Sequence, residues 1–231
     1  MVDKDAVRRA YDELAETYDE TRSTNGRAVE LLGAFLESLP ASARVLDAGC
    51  GSGSPALERI DRAGAAVGLD LSRRQLQLAA ESAPGAALAQ GDMTALPFED
   101  DSFDGVVACW SLIHIPMADH AAVVGESARV LRPGGRALVC EGTHEWVGEN
   151  PDWLDSGVGM AWNIAGAETT REQLLDAGFE ITDTWGVPET LEDGDVDGDA
   201  DGEVENDAAN GVDDDVDDDL PWTVFAVRLD P

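Results

Sequence analysis

Lysine is almost absent from this chain of 231 residues: fourteen of its fifteen basic residues are arginine, and Lys4 stands alone. Forty-eight acids outweigh those bases and leave a net charge of −33. Such a surface repels phosphate backbones and anionic bilayers, so a general nucleic-acid binder and a membrane-docking protein are both disfavoured. Cysteine is scarce too. Cys50, Cys109 and Cys140 are too few and too scattered for a disulfide framework or a CxxC zinc site, and a reducing cytoplasm is expected. No uncharged apolar run approaches the length of a membrane-spanning helix, and MVDKDAVRRAYDELAE has no apolar core for a secretory signal. What is present suffices for one core, since 43% of residues are apolar.

The apolar pattern changes period along the chain. Residues 5–20 read as an amphipathic helix, with Val7, Ala10, Tyr11, Leu14, Ala15 and Tyr18 on one side, and a second helix follows over 26–38. Strands are predicted at 44–49, 65–70, 87–92, 103–111, 136–142, 179–185 and 222–229. Helices are predicted between them at 55–64, 73–83, 119–131 and 169–177, with Ser72 as an N-cap and Gly178 as a stop. Alternating strands and helices predict an α/β fold with a doubly wound sheet of seven strands. The last two strands have no helix between them, so the final one must run antiparallel.

Between those two strands lies a low-complexity stretch. Residues 192–219 hold fifteen acids and no base, and the rest of the chain still carries −18. The stretch has too little apolar surface to fold and is expected to be a disordered acidic insert. Within it, Asp193, Asp195, Asp197 and Gly198 open like a calcium-binding loop, but position twelve is Val204. The frame beginning at Asp197 ends on Ala208, so neither closes and no metal site is expected. Acid excess with so little lysine resembles the proteins of salt-loving archaea. At about 1 M salt the screening length falls to about 3 Å, and repulsion among surface acids is largely relieved.

The strongest chemical signal is VLDAGCGSG, residues 45–53, where a strand runs into Gly49, Gly51 and Gly53 and then into a helix. Glycines there let a ligand approach the backbone, and helix amides point at it. The spacing is GxGxG, not the GxGxxG of nicotinamide enzymes, and Asp47 precedes it. An acid there repels a pyrophosphate and suits a cationic amino group. Asp70, at the end of the second strand, can accept hydrogen bonds from both hydroxyls of a ribose. Asp92 and Met93, after the third, can take an adenine amino group and cover its ring. Three acids at three successive strand ends fit a ligand with an amino group, a ribose and an adenine but no phosphates, which is S-adenosylmethionine.

On these residues the chain resembles the class I S-adenosylmethionine-dependent methyltransferases, notably the small-molecule group that includes the ubiquinone and menaquinone type. VLDAGCGSG resembles the family's glycine motif, GLDLS its ribose motif, and GDMTALPFEDDSFDGVV its adenine segment. LRPGG and YDELAETYDE resemble its turn before the fifth strand and its lid helix. The resemblance implies a Rossmann-like sheet with an antiparallel last strand. It implies that Asp47, Gly49, Gly51 and Gly53 surround the methionine part of the cofactor. Asp70 would hold the ribose with Leu71 beside the adenine, and Asp92 and Met93 would hold the adenine itself. Trp110 and Ser111 would lie near the sulfonium, and Tyr18 would belong to a helical lid spanning 1–40.

The acceptor side is less legible. CWSLIHIP, residues 109–116, lacks the [DN]PP[YFW] motif of base-amino methylases. His114 is the candidate general base, because a neutral imidazole titrates near working pH. Trp146, Trp153, Trp162 and His144 fall in the segment 143–168, which reads as a substrate cap, and its tryptophans point to an apolar or aromatic small-molecule acceptor. Two rivals stand beside methyl transfer: a non-catalytic cofactor-binding regulator, and a nucleotide-binding oxidoreductase, which the GxGxG spacing and Asp47 oppose.

Overall fold

A computed structural model describes residues 2–22, 24–188 and 220–230. Its nine strands are β1 (Arg44–Ala48), β2 (Ala65–Asp70), β3 (Ala87–Gln90), β4 (Phe103–Cys109), β5 (Leu131–Gly142), β6 (Trp146–Trp153), β7 (Val158–Ile164), β8 (Phe179–Val187) and β9 (Trp222–Leu229). The helices are α1 (Lys4–Glu13), α2 (Ala15–Thr21), α3 (Arg27–Glu37), α4 (Ala56–Ala63), α5 (Arg73–Ser82), α6 (His120–Val130) and α7 (Ala167–Asp176). Seven strands form one sheet in the order β3-β2-β1-β4-β5-β9-β8. β1 to β5 run parallel, and β9 is antiparallel to both of its neighbours.

Strand periodicity sorts the core onto two faces. On β1, Leu46 joins Val106 of β4, Val139 of β5 and Phe225 of β9 beneath Val123 and Val124 of α6 and Leu174 of α7. One residue away, Val45 joins Val107, Leu138 and Val224 beneath Leu31 and Phe35 of α3 and Leu57 and Ile60 of α4. The sheet is therefore covered on both faces, as its near-continuous apolar strands require. The chain leaves β1 towards β2 on one side and returns to β4 on the other. This reversal opens a crevice at the carboxyl ends of β1 and β4, where ligands bind in such sheets.

Three features differ from the sequence expectation. The helix expected over 5–20 breaks at Leu14, whose φ of −104° and ψ of 13° end α1 before α2 begins. No glycine or proline marks that break. The lid expected across 1–40 divides: α1 and α2 lie over the crevice, whereas α3 packs on the sheet through Leu31, Leu32 and Phe35. The segment 143–168 contains an antiparallel hairpin, β6 paired with β7 from Trp146↔Ile164 to Trp153↔Val158. Its Trp153 and Met160 form a third apolar cluster with Val7, Ala10, Leu14 and Tyr18. Lid helices and hairpin thus make a roof with its own core. The acidic stretch 192–219 and its calcium-loop reading lie outside the described residues.

Candidate functional site

The roof and the sheet edge enclose a cavity. Asp47, Gly49, Gly51, Asp70, Leu71, Met93, Trp110, Ser111, His114 and Tyr18 all line it. These come from β1, the turn after it, β2, the segment after β3, the end of β4 and the lid. Residues separated in sequence are gathered by the strand ends and the lid above them.

Asp47 is 3% exposed, and its Oδ2 has no hydrogen-bond partner. Burial pushes its pKa up to about 7; Arg22 works against that rise and Asp70 adds to it. Burial likewise raises Asp70 to about 6, against amides that favour its charged form. Those amides are Gly51 N–H, donating to Oδ2 at 2.9 Å, and Ser72 N–H, donating to Oδ1 at 2.8 Å. Two carboxylates held in low dielectric beside a cavity are poorly placed for folding alone and well placed to receive a cation or hydroxyls.

The three glycines do different work. Gly51, at φ +53°, has open space on its cavity side, with only Gln75 Oε1 near a virtual Cβ at 3.8 Å. Gly49, at φ +81°, sits so close to the end of β4 that a Cβ would lie 2.4 Å from Ser111 Cβ. Gly53 does not reach the cavity wall. A Cβ there would meet Ser82 Oγ at 3.1 Å and Ala79 Cα at 3.2 Å, so it serves the packing of the turn on α5 rather than the ligand expected for it.

Asp92 also departs from its expected role. Its carboxylate does not line the cavity: it pairs with Lys4 Nζ at 2.5 Å and accepts from Thr94 N–H at 2.9 Å and Thr94 Oγ1 at 2.8 Å. The chain's one lysine ties it to the start of α1, leaving Gly91 and Met93 at the wall. A second tether joins lid to sheet, with Ser72 Oγ donating to Asp12 Oδ1 at 2.7 Å.

Trp146, Trp162 and His144 do not line the cavity either. Trp146 is 50% exposed, and His144 is exposed on the turn before β6. Trp162 stands one layer back, its ring 6.0 Å from that of His114 and 6.0 Å from that of Trp153. Cys50 and Cys109 are free thiols, and burial pushes the Cys109 thiol up to about 12, so it carries no thiolate at neutral pH.

Two residues were not singled out from the sequence as site residues and belong to this site. Arg22, just after α2, lines the cavity, donates to Tyr18 Oη at 2.8 Å, and lies over the rings of Tyr18 and Trp110 at 5.5 and 5.8 Å. Burial disfavours its charge, but Tyr18, Tyr11 and Asp47 together outweigh that cost. Trp110 itself is held at φ +53°, a strained position for a bulky residue, and its Nε1 is unpartnered. Tyr11 lines the cavity and bonds His114. It lay on the helical stripe that periodicity assigned simply to burial.

Residues 46–139 match the model of a family described as "Methyltransferase domain". The chain is 42% identical over 105 residues to the methyltransferase GfsG of Streptomyces halstedii, covering 42% of this chain and 37% of that protein. It is 33% identical over 144 residues to a demethylmenaquinone methyltransferase of Streptomyces avermitilis, covering 60% of this chain and 61% of the relative. It thus spans less than two thirds of either. Its fold superimposes on an S-adenosylmethionine-dependent methyltransferase from Methanosarcina mazei with a TM-score of 0.62 at 19% identity, over 85% of this chain and 97% of the other. The fold is that of the solved S-adenosylmethionine-dependent methyltransferases, residues 46–139 carry the match to a methyltransferase domain, and the cofactor of such proteins is S-adenosylmethionine. The residues fit that group: an orphaned acid oxygen for an ammonium, a guanidinium at the cavity wall for a carboxylate, and a turn open at Gly51.

Proposed function

We propose that the protein transfers a methyl group from S-adenosylmethionine to a small-molecule acceptor. The observation that carries this reading is the pairing of Asp47 and Arg22 in one cavity, a buried carboxylate and a half-buried cation that together complement an amino-acid head group. Asp47 would hold the ammonium, Arg22 the carboxylate and Asp70 the ribose hydroxyls, with Leu71, Gly91 and Met93 along the adenine. The bound cofactor supplies an electrophilic methyl on a sulfonium, and the chain's own part is to orient an acceptor and exclude water. Tyr11 and Tyr18, stacked edge-on at 5.1 Å and backed by Trp153 at 5.6 and 5.3 Å, offer an acceptor an aromatic wall. The excess of acid over base supports a small molecule over a nucleic acid.

The test is calorimetric binding of S-adenosylmethionine and its demethylated product, with NAD as the control that should not bind. Arg22→Ala should weaken cofactor binding by about ten- to fiftyfold, as loss of a charge-assisted hydrogen bond predicts. Unchanged affinity in that variant would remove Arg22 from the site.

The acid excess supports a salt-rich working environment. With forty-eight acids against fifteen bases, most carboxylates have no basic residue with which to pair. The melting temperature should climb as KCl is raised from millimolar to molar levels, because screening relieves self-repulsion. A flat profile would defeat the halophilic reading.

A further inference from the structure

His114 reaches the cavity wall, yet neither of its ring nitrogens is free for an acceptor. It sits on the short 3-10 turn Leu112–His114 that follows β4. Its Nδ1 lies 3.1 Å from the carbonyl of Ala161 on β7, and its Nε2 lies 2.8 Å from Tyr11 Oη on α1. A carbonyl only accepts, so the proton of a neutral imidazole must sit on Nδ1. Nε2 is then a lone pair, and the tyrosine hydroxyl donates to it. Burial holds both partners in these states, lowering His114 to about 4 and raising Tyr11 well above its ordinary value. Tyr11 Oη has spent its one proton on His114; the Tyr18 hydroxyl, itself accepting from Arg22, bonds one of its lone pairs, and the other remains for a donor in the cavity.

We propose that Tyr11 is the residue that meets the acceptor, that it takes the proton of a phenol- or enol-type hydroxyl, and that His114 acts behind it by receiving the tyrosine proton. This rests on the methyl-transfer reading above. The step balances. The acceptor oxygen forms its bond to the methyl as the carbon–sulfur bond breaks, and that electron pair stays on sulfur. The hydroxyl proton passes to Tyr11 Oη while the Tyr11 proton passes to His114 Nε2. One positive charge is lost at the sulfonium and one appears on the imidazolium, so the cavity's net charge is unchanged. The Ala161 carbonyl, already facing Nδ1–H, stabilises that imidazolium.

The arrangement suits a hydroxyl better than an amine. A neutral amine attacks through its own lone pair and sheds its proton afterwards, so it needs no relay. A phenol or enol is a weak nucleophile until its proton moves, and Tyr11 can take that proton only as it hands its own to the imidazole, so that no tyrosine cation forms. The wall around Tyr11 is aromatic on two sides, with Trp153 at 5.6 Å and Tyr18 at 5.1 Å, which favours a planar acceptor.

The experiment uses the full chain with S-adenosylmethionine and three phenolic probes: phenol, catechol and a naphthohydroquinone. 4-Nitrophenol at mildly alkaline pH, already ionised, serves as a probe that bypasses the relay. Tyr11→Phe and His114→Gln should each lower kcat on the un-ionised probes by about 10²–10³-fold. The double variant should be no worse than either alone, because both act in one step. Turnover of 4-nitrophenolate should fall by no more than about threefold, which a merely structural loss would not spare. Cofactor affinity, read by calorimetry, should stay within about threefold in each variant and so report that the site is intact. Wild-type turnover retained in Tyr11→Phe, additive losses, or equal losses on the ionised probe would overturn the relay. So would failure of the wild type, with cofactor bound, to methylate any hydroxyl probe. Failure of the wild type to bind S-adenosylmethionine would overturn the proposed function itself.

Discussion

Asp47→Asn is expected to weaken S-adenosylmethionine binding by about a hundredfold and yet to stabilise the free protein above neutral pH. The two effects share a cause. A carboxylate is buried at the end of β1 with one oxygen unpartnered, and burial lifts its pKa from 3.8 to about 7. Between those values the folded chain keeps a proton that the unfolded chain has released. Stability from this group is therefore full below the lower value and lost as pH rises through about 7. Asparagine has nothing to ionise, so its advantage should appear at pH 8 and vanish near pH 4. Asp70, raised to about 6, slopes the same way in both proteins and leaves the difference between them intact.

Binding runs the other way. A cationic head group beside Asp47 favours the ionised form, so cofactor binding should release a proton near neutrality. Affinity should rise with pH from about 5 to 7, by at most about tenfold per pH unit. Calorimetry in two buffers of different ionisation enthalpy would count the proton, and the count should drop in Asp47→Asn. Equal affinity in the variant, or a lower melting temperature at both pH extremes, would show that Asp47 is a structural group.

Much of this site is legible in the sequence because strand ends do the gathering. Once β1, β2 and β4 are recognised, their last residues must lie along one sheet edge, and Asp47, Asp70 and Trp110 fall into the cavity without further information. The Ser72 N-cap is equally local: its hydroxyl accepts from Gln75 N–H at 3.1 Å. The hairpin is not local in this sense. WVGENPDW carries glycine, proline and two acids and exposes most of its length, so it lacks the alternation that marks a strand. It pairs only with β7 and is held from beneath by the lid. Arg22 sits among polar residues, in ETRST, and becomes a site cation only when Tyr18 and Trp110 close against it. The bond from Tyr11 to His114 spans 103 positions and two elements that no periodicity relates. Asp92 shows the opposite failure, since a well-placed acid is diverted by the single lysine near it.

The glycine turn invites the sharpest structural test, because its three glycines look alike in sequence and differ in what surrounds them. Gly49→Ala should destabilise the protein by about 2–5 kcal/mol. That sum combines a left-handed backbone position denied to alanine with overpacking against Ser111. The backbone there stands at φ +81°, and the added carbon would fall 2.4 Å from Ser111 Cβ, a contact that neither side chain can relieve by rotating. The Gly49 and Cys50 amides both donate to the Leu69 carbonyl, at 2.7 and 3.0 Å, so the turn cannot swing away without breaking its tie to β2. The melting temperature should fall by roughly 5–15 °C. Gly51→Ala pays only the backbone strain at φ +53°, since nothing but Gln75 Oε1 lies near the new carbon. That variant should keep most of its stability and instead lose cofactor affinity, because the methyl group projects into the cavity wall. Differential scanning calorimetry and cofactor titration on the two variants separate the roles. Equal loss of stability in both would mean that the turn is governed by backbone conformation alone and that the approach of β4 to Gly49 does not matter.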